Sequence, residues 1–232
     1  MLSEQRALEW RSGGRVTPAA RWMILLVTFA VTSSQNVSAQ SSDDADGAVK
    51  VGDRWVYETR DEMTGFPKEK YTEIVTGVSP ENAIVNLTFS GSDVSVSVTY
   101  DREWNCIDNL VWKYKPGNGQ GMKLPLAVGK SWKTTFDASN TQTGANFTGA
   151  SSSTVVAQEQ ITTPAGTFDT FKIEQQVREI DAANPSKLTE SEIVVWYAPQ
   201  INHFVRRTIL VKFAERTRVM RSEELAEFTR KL

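Results

Sequence analysis

The residues best able to do chemistry are a single histidine, His203, and a single cysteine, Cys106. A nucleophile needs a base within hydrogen-bond reach, so these two would have to meet in the fold to form a catalytic dyad. Neither lies in a recognisable catalytic motif, and there is no Gly-x-Ser-x-Gly elbow of a serine hydrolase. The favoured interpretation is a buried thiol and an imidazole at the edge of a strand.

Carboxylates two residues apart offer a second route to catalysis. Glu190 with Glu192, and Asp101 with Glu103, fall on one face of a strand, where a pair would supply an acid and a base. Acidic residues on a solvent-facing strand give the same pattern. A hydrolase that uses scattered carboxylates or Cys106 and His203 is therefore kept as the alternative function.

Metal chemistry has little support in the composition. One histidine and one cysteine are too few for a clustered transition-metal site. Residues 42–53 imitate the oxygen spacing of a calcium loop through Asp44, Asp46 and Asp53, but a Ser stands at the first position and no helices flank the loop. We interpret residues 40–48 as a disordered acidic linker and predict neither a metal nor a cofactor.

Aromatic side chains are the strongest candidates for a binding role. They would line an apolar cavity or groove for a lipid-like or glycan ligand, or they would fill the core of a sheet. The candidate ligand-binding residues are Trp55, Tyr57, Trp104, Trp112, Trp132, Trp196 and Tyr197.

The elements that must position these residues are predicted to be antiparallel strands. From residue 49 onward, short runs of β-branched and aromatic residues alternate with turn residues, and residues 94–99 (VSVSVT) alternate strictly. This pattern predicts an all-β protein, either an open curved sheet (a half-barrel) or a sandwich. Residues 116–121 (PGNGQG) and 137–151 are predicted to be a flexible connection and an exposed loop.

A short motif occurs twice and suggests an internal repeat. Residues 51–55 (VGDRW) are echoed by residues 128–132 (VGKSW), and each copy precedes a polar loop and a β run. The echo predicts two similar halves, a β-meander over 49–125 and a second β half over 126–232. Chance similarity of so short a motif competes with duplication.

The N-terminus has the order of a secretory signal peptide. Arg11, Arg15 and Arg21 precede an apolar run at residues 22–31, and small residues follow at Val37 and Ala39. The run is too short for a membrane span of about 20 residues. We therefore predict that residues 1–39 form a signal helix that is cleaved after Ala39, leaving a periplasmic or secreted protein with no integral span.

The charge balance excludes a nucleic-acid partner. The full chain has a formal charge of −2, and the segment after Ala39 has 22 basic and 26 acidic side chains. A chain that is mildly acidic and has no basic stripe does not fit a phosphate backbone.

Three groups of residues resemble a known group of proteins: 125–132 (PLAVGKSW), 163–168 (TPAGTF) with 171–173 (FKI), and 196–199 (WYAP) with 205–207 (VRR). Their order is similar to that of exported bacterial β-rich proteins of uncharacterised function. The resemblance implies a β fold over nearly the whole mature chain and carries no catalytic residues. It also favours a final strand over a helix within residues 222–232, where the pattern alone fits both.

Together these observations predict an exported, non-catalytic protein that binds an apolar or amphipathic ligand or a protein partner. Hydrolysis and a structural role in the cell envelope are the alternatives.

Overall fold

Twelve antiparallel strands form a closed barrel in the computed structural model, which describes residues 48–231. The strands run in chain order around the barrel. Their bounds are β1 Arg54–Asp61, β2 Pro67–Val78, β3 Asn82–Phe89, β4 Ser95–Asp101, β5 Cys106–Asp108, β6 Trp112–Lys115, β7 Ser131–Asn140, β8 Asn146–Thr163, β9 Gly166–Asp181, β10 Leu188–Ala198, β11 His203–Phe213 and β12 Arg216–Thr229.

The prediction of an antiparallel all-β fold is confirmed, but the sheet is closed and is neither an open half-barrel nor a sandwich. The first strand pairs with the last as well as with β2, from Arg54 opposite Thr229 to Asp61 opposite Arg221. Closure satisfies the backbone groups that an open sheet would leave at its two edges. Strand β12 also settles the C-terminal alternatives in favour of a strand, as the resemblance implied.

Alternating side chains explain why these strands close around a core. In β1, Trp55 and Tyr57 are buried on the inner face, and in β10 the inner residues are Ile193, Val195 and Tyr197. A period of two places every second residue inside the barrel. The one helical element in the described range is a 3₁₀ turn, Pro199–Ile201, between β10 and β11.

The β8–β9 hairpin shows how a predicted turn positions its strands. Thr163 pairs with Gly166 across the tight turn. Gly166 has a φ of 133°, a backbone conformation that residues other than glycine rarely adopt. The turn returns Phe168 to the sheet, where its side chain is buried.

The segment 137–151, predicted to be an exposed loop, consists mainly of paired strand residues. Residues 137–151 contain the end of β7 and the start of β8, which pair from Asp137 opposite Thr148 to Ser139 opposite Asn146. Only a short turn at 141–145 separates them. Small residues suit these strands because their inner faces are crowded. For example, a Cβ on Gly149 would overlap the Phe136 ring.

The repeated VGxxW motif has the same local geometry in both copies. Gly52 N donates to Val75 O and Gly129 N donates to Val155 O, both at 2.8 Å. The two glycines have φ values of 94° and 88°. Strands β1–β6 lie within 49–125 and β7–β12 within 126–232, so each range contributes six strands to one barrel. Duplication of the two halves stays a prediction.

The predicted signal peptide at 1–39 and most of the linker at 40–48 lie outside the described residues. Between residues 48 and 231 there is no helix long and apolar enough to cross a membrane.

Candidate functional site

Titratable side chains line one side of the barrel interior, where the alternation of β1, β2, β11 and β12 turns them inward. We call this set the charged wall. Its residues are Tyr57, Tyr71, Glu73, His203, Arg207 and Glu223. All are buried except Arg207, whose side chain is 26% exposed. Polar groups buried in a core need specific partners, so their hydrogen bonds decide what the wall can do.

The hydrogen bonds of Tyr57 fix the tautomer of His203. The Tyr57 hydroxyl donates its only hydrogen to Phe204 O at 2.7 Å. It also lies 2.7 Å from His203 Nδ1. Because the hydroxyl has no second hydrogen to give, Nδ1 must be the donor in that contact. A neutral His203 therefore carries its proton on Nδ1 and presents a lone pair at Nε2.

That lone pair faces an acid. Glu73 Oε2 lies 3.3 Å from His203 Nε2, and both side chains are almost fully buried. Glu73 Oε2 makes no other hydrogen bond within residues 48–231, and a proton held by the pair would relieve the contact between the two acceptors. Burial raises the pKa of Glu73 to about 7 against the opposing charge of Arg207. Burial and Arg207 lower the pKa of His203 to about 3.

Glu223 is the acidic partner of Arg207 in the charged wall. Arg207 donates to Glu223 Oε2 through Nε at 2.8 Å and through Nη2 at 2.5 Å. The Tyr71 hydroxyl donates to the same oxygen at 3.1 Å, and Arg221 Nε lies 3.1 Å from Oε1. Three hydrogen bonds to Oε2 and the Arg221 guanidinium beside Oε1 compensate the burial of this carboxyl group, which is only 2% exposed.

A cavity of about 280 Å³ lies in front of the charged wall. Its apolar lining comes mainly from β3, β4 and β10, and Glu73 and Arg207 are its two charged lining residues. The lining residues are Glu73, Leu87, Val98, Tyr100, Trp104, Cys106, Asn109, Tyr114, Asn118, Gln120, Met122, Gln175, Ile193, Val195, Tyr197, His203, Phe204 and Arg207. Small-molecule sites combine such an apolar surface with a few placed polar groups.

The opposite side of the cavity is formed by residues 116–122, which we call the glycine loop. This is the segment predicted to be a flexible connection, and the prediction is wrong: the loop folds into the barrel. Ser151 Oγ donates to Gly119 O at 2.8 Å, and Gln175 Nε2 donates to Gln120 O at 3.0 Å. Asn118 Oδ1 accepts from Cys106 N at 3.0 Å.

Glycine is required in this loop because the chain runs against its neighbours. A Cβ on Gly117 would stand 2.7 Å from Asn105 Cβ, and one on Gly121 would overlap Glu103 O. Gly119 has a φ of 69° and faces Ser151. These glycines therefore serve close packing and not flexibility.

The predicted ligand-binding aromatics divide into three groups. Trp104 and Tyr197 line the cavity, and their polar atoms share an acceptor: Trp104 Nε1 and Tyr197 Oη donate to Asn202 Oδ1 at 3.3 and 2.5 Å. Trp55 and Tyr57 pack against the His203 ring, with centroids 4.7 and 5.8 Å away.

The third group consists of Trp112, Trp132 and Trp196, which do not line the cavity. Trp112 packs edge-on against Phe147, and Trp132 is partly buried against the core. Trp196 lies on the face of β10 opposite to Tyr197 and donates to Glu159 Oε1 at 2.6 Å.

The candidate catalytic residues are not arranged as a catalytic dyad. Cys106 and His203 both line the cavity, but no hydrogen bond of the described residues joins them. Burial raises the pKa of the Cys106 thiol to about 12, so it stays protonated at neutral pH. The predicted carboxylate pairs are engaged elsewhere: Glu190 with Arg178, Glu192 with Lys212, and Asp101 with the turn at 103–105.

Asp53, the last position of the imitated calcium loop, is fully buried and bound to the chain itself. Its carboxylate accepts from Lys50 N at 3.0 Å and from Lys231 N at 2.9 Å. These two bonds join the segment before β1 to the segment after β12. Asp44 and Asp46 fall outside the described range. From residue 48 to residue 231 there is no cluster of three potential metal-binding side chains.

Sequence reasoning missed Glu73 and Arg207, although a signal was present for the first. Tyr71, Glu73 and Val75 alternate within one strand, which places a carboxylate on the same face as two core residues. For Arg207 the local sequence does not show that the side chain lines a cavity, and its partner Glu223 is 16 residues away on a different strand.

Comparison with known proteins supports an uncharacterised domain family. A family model described as DUF3108-like matches residues 122–207. No curated protein matches the chain.

The fold is similar to that of solved bacterial structures. A candidate lipoprotein from Parabacteroides distasonis is 15% identical with a TM-score of 0.55, covering 78% of this chain and 97% of its own. A candidate exported protein of YmcC-like fold from Bacteroides fragilis is 13% identical with a TM-score of 0.48, covering 79% and 98%. The hypothetical lipoprotein YmcC from Escherichia coli is 9% identical with a TM-score of 0.45, covering 76% and 85%.

Proposed function

We propose that this protein is an exported, non-catalytic binding protein that holds a small amphipathic molecule inside its barrel. The observation that carries the proposal is the cavity of about 280 Å³ with apolar side chains on one part of its lining and the charged wall on another. Binding sites for small molecules begin at roughly 300 Å³, so the cavity suits a small ligand and not a long glycan.

The lining gives each part of such a ligand a place. Val98, Ile193 and Val195 present branched apolar surface from β4 and β10, and burying an alkyl chain against them gains about 0.8 kcal/mol per methylene. At the polar end, Arg207 and the His203–Glu73 pair offer hydrogen-bonding groups, and the side chains of the pair are almost fully buried.

Catalysis is less well supported by the same geometry. The thiol is protonated, the imidazole is held between Tyr57 and Glu73, and within residues 48–231 no hydrogen bond joins Cys106 to His203. Activation of a nucleophile needs that contact.

Export is supported by the basic, apolar and small-residue segments at 1–39 and by the fold shared with a candidate lipoprotein. N-terminal sequencing of protein made in a bacterial host tests this directly. A mature chain that starts at Gln40 supports export, and an intact residue 1 on cytosolic protein contradicts it.

Binding is tested with octan-1-ol as a neutral amphipathic probe and calorimetry as the readout. Val195→Phe places a ring in the cavity and should weaken binding at least tenfold, about 1.4 kcal/mol. Val194→Phe is the matched control, because residue 194 lies on the other face of the same strand and does not line the cavity.

The proposal predicts binding that Val195→Phe weakens and Val194→Phe leaves unchanged. Equal effects of the two variants would place the probe outside the barrel. If neither octan-1-ol nor a charged analogue of it binds, the proposed function is wrong.

A further inference from the structure

We infer that the ligand of this cavity is an anion with a short apolar tail, that Arg207 and the Tyr100 hydroxyl bind its charged group, and that it binds together with a proton held by Glu73. This inference rests on the proposed function and names the class of ligand. Three features of the cavity carry it: its free hydrogen-bond donors, the acid Glu73 beside His203, and its size.

The free donors belong to Arg207 and Tyr100, which both line the cavity. Arg207 uses Nε and Nη2 on Glu223, and Nη1 makes no hydrogen bond within residues 48–231. The Tyr100 hydroxyl likewise makes none there, although burial and the nearby Glu73 raise its pKa and keep it a donor. A guanidinium and a phenol facing one space are suited to an oxyanion.

The compensating charge of Arg207 is on its far side. Glu223 does not line the cavity; its Oε2 accepts from Arg207 and Tyr71, and Arg221 Nε lies 3.1 Å from its Oε1. Glu223 therefore lies on the side of Arg207 that faces away from the cavity. A ligand anion in the cavity is attracted by the Arg207 charge and does not have to displace Glu223.

Glu73 is the one lining residue that would oppose an anion. As a carboxylate it would place a negative charge beside the ligand. Its Oε2 and His203 Nε2 would then be two acceptors only 3.3 Å apart. As a neutral acid it donates to Nε2, and the cavity lining then carries no negative charge beside the Arg207 cation. Anion binding and protonation of Glu73 thus favour each other.

His203 and Cys106, which also line the cavity, each keep one charge state between pH 6 and pH 8. Burial lowers the pKa of His203 to about 3 and raises that of Cys106 to about 12. Burial also raises the pKa of each surrounding tyrosine. The groups facing Glu73 from neighbouring strands are Tyr57 on β1, Tyr71 on β2, Tyr100 on β4, His203 and Arg207 on β11, and Glu223 on β12.

The size of the cavity sets the length of the probe. At about 30 Å³ of liquid volume for a group the size of water, 280 Å³ holds roughly nine such groups. Octanoate is close to this size, and octan-1-ol and octylamine are its neutral and cationic analogues. The carboxylate and the ammonium each keep their charge from pH 6 to pH 8.

The test is calorimetric titration of the three probes at pH 6 and at pH 8. Octanoate should bind most tightly at pH 6 and about tenfold more weakly at pH 8, because Glu73 loses its proton in that interval. Octan-1-ol should bind equally at both values. Octylamine should bind most weakly, and more weakly at pH 6 than at pH 8.

Two variants separate the roles of Glu73 and Arg207. Glu73→Gln, whose amide still donates to His203 Nε2, should bind octanoate at pH 8 as tightly as at pH 6. Glu179→Gln is the control: burial also raises the pKa of this acid, but it does not line the cavity, so the tenfold change should persist. Arg207→Met with Glu223→Gln removes the ion pair together and should lose octanoate binding while octan-1-ol still binds.

The outcomes distinguish this inference from the proposed function. If octan-1-ol binds but octanoate binds no better at pH 6, or if octylamine binds best, the cavity is a binding site and the anion assignment is wrong. If Glu73→Gln retains the change with pH, the proton belongs elsewhere and the inference is overturned. If none of the three probes binds, both proposals are wrong.

Discussion

The two sides of the cavity are built by opposite means. The charged wall uses side chains on regular strands, and its specificity lies in where protons and charges are held: on Glu73, His203, Arg207 and Glu223. The glycine loop uses almost no side chains, and its position depends on backbone groups that accept hydrogen bonds from Ser151 and Gln175.

This difference shows how the barrel stays ordered around an internal space. A wide barrel leaves an interior that core side chains alone do not fill. On one side the large rings of Trp55, Tyr57 and Tyr71 fill it and enclose the charges. On the other side the chain itself enters the barrel, since glycines permit an approach that a Cβ would block. The cavity is the space that remains between them.

The largest effect is expected from breaking the ion pair of the charged wall. Arg207→Ala leaves Glu223 buried without its main partner and should reduce the free energy of unfolding by about 4 kcal/mol. Urea denaturation measures it. The neighbouring Arg206→Ala breaks the half-exposed pair with Glu224 and should cost less than about 1 kcal/mol. Equal losses in the two variants would show that burial does not distinguish these pairs.

The glycine loop should be the next most sensitive region. Gly119→Ala adds a methyl group against Ser151 at a φ of 69° and should cost about 3 kcal/mol from strain and overlap together. Gly144→Ala has nearly the same φ, 72°, but open space around it, and should cost about 1 kcal/mol. Thermal denaturation of the pair isolates the packing cost. If the losses match, the loop is not held against the barrel.

A smaller effect concerns the pH dependence of stability. The folded protein keeps the proton of Glu73 up to about pH 7, whereas the unfolded chain releases it near pH 4.5. The free energy of unfolding therefore falls as the pH rises through this window, by about 1 kcal/mol between pH 6.5 and pH 8. The lowered pKa of His203 acts in the opposite direction, but only below pH 6.5.

Glu73→Gln should remove this fall, which chemical denaturation at the two pH values measures. A wild-type protein whose stability is constant over the interval would mean that Glu73 is already ionised in the fold.

The smallest effect is expected on the outer face. Trp196→Phe loses the hydrogen bond to Glu159 and weakens the contacts of Lys172 and Arg206 with the ring, at a cost of about 0.5 kcal/mol. Octan-1-ol binding should not change. A clear loss of binding would restore Trp196 to the ligand-binding set predicted from the sequence.

The sequence predicts the strands well because their signal is local. Alternation at residues 94–99 and the turn at Gly166 are each readable within a few residues, and both are found in the structure. Closure of the barrel depends on β1 meeting β12, which lies more than 150 residues away, and no local pattern encodes that pairing.

The same limit explains the errors at the site. The glycines at 117, 119 and 121 have the composition of a flexible linker, and only the neighbours Asn105, Ser151 and Glu103 reveal them as packing residues. Trp196 and Tyr197 are adjacent in sequence and similar in character, yet the strand turns one outward and the other into the cavity. Composition identifies aromatic residues but not the face on which each of them lies.

The most direct test of the account is the protonation of His203, which is the only histidine in the chain. In tag-free protein, ¹⁵N NMR of that one imidazole reports each nitrogen without overlap. The structure predicts a neutral ring from pH 6 to pH 8, with the proton on Nδ1 and the lone pair at Nε2 facing Glu73. An imidazolium at pH 6, or a neutral ring protonated at Nε2, would contradict it.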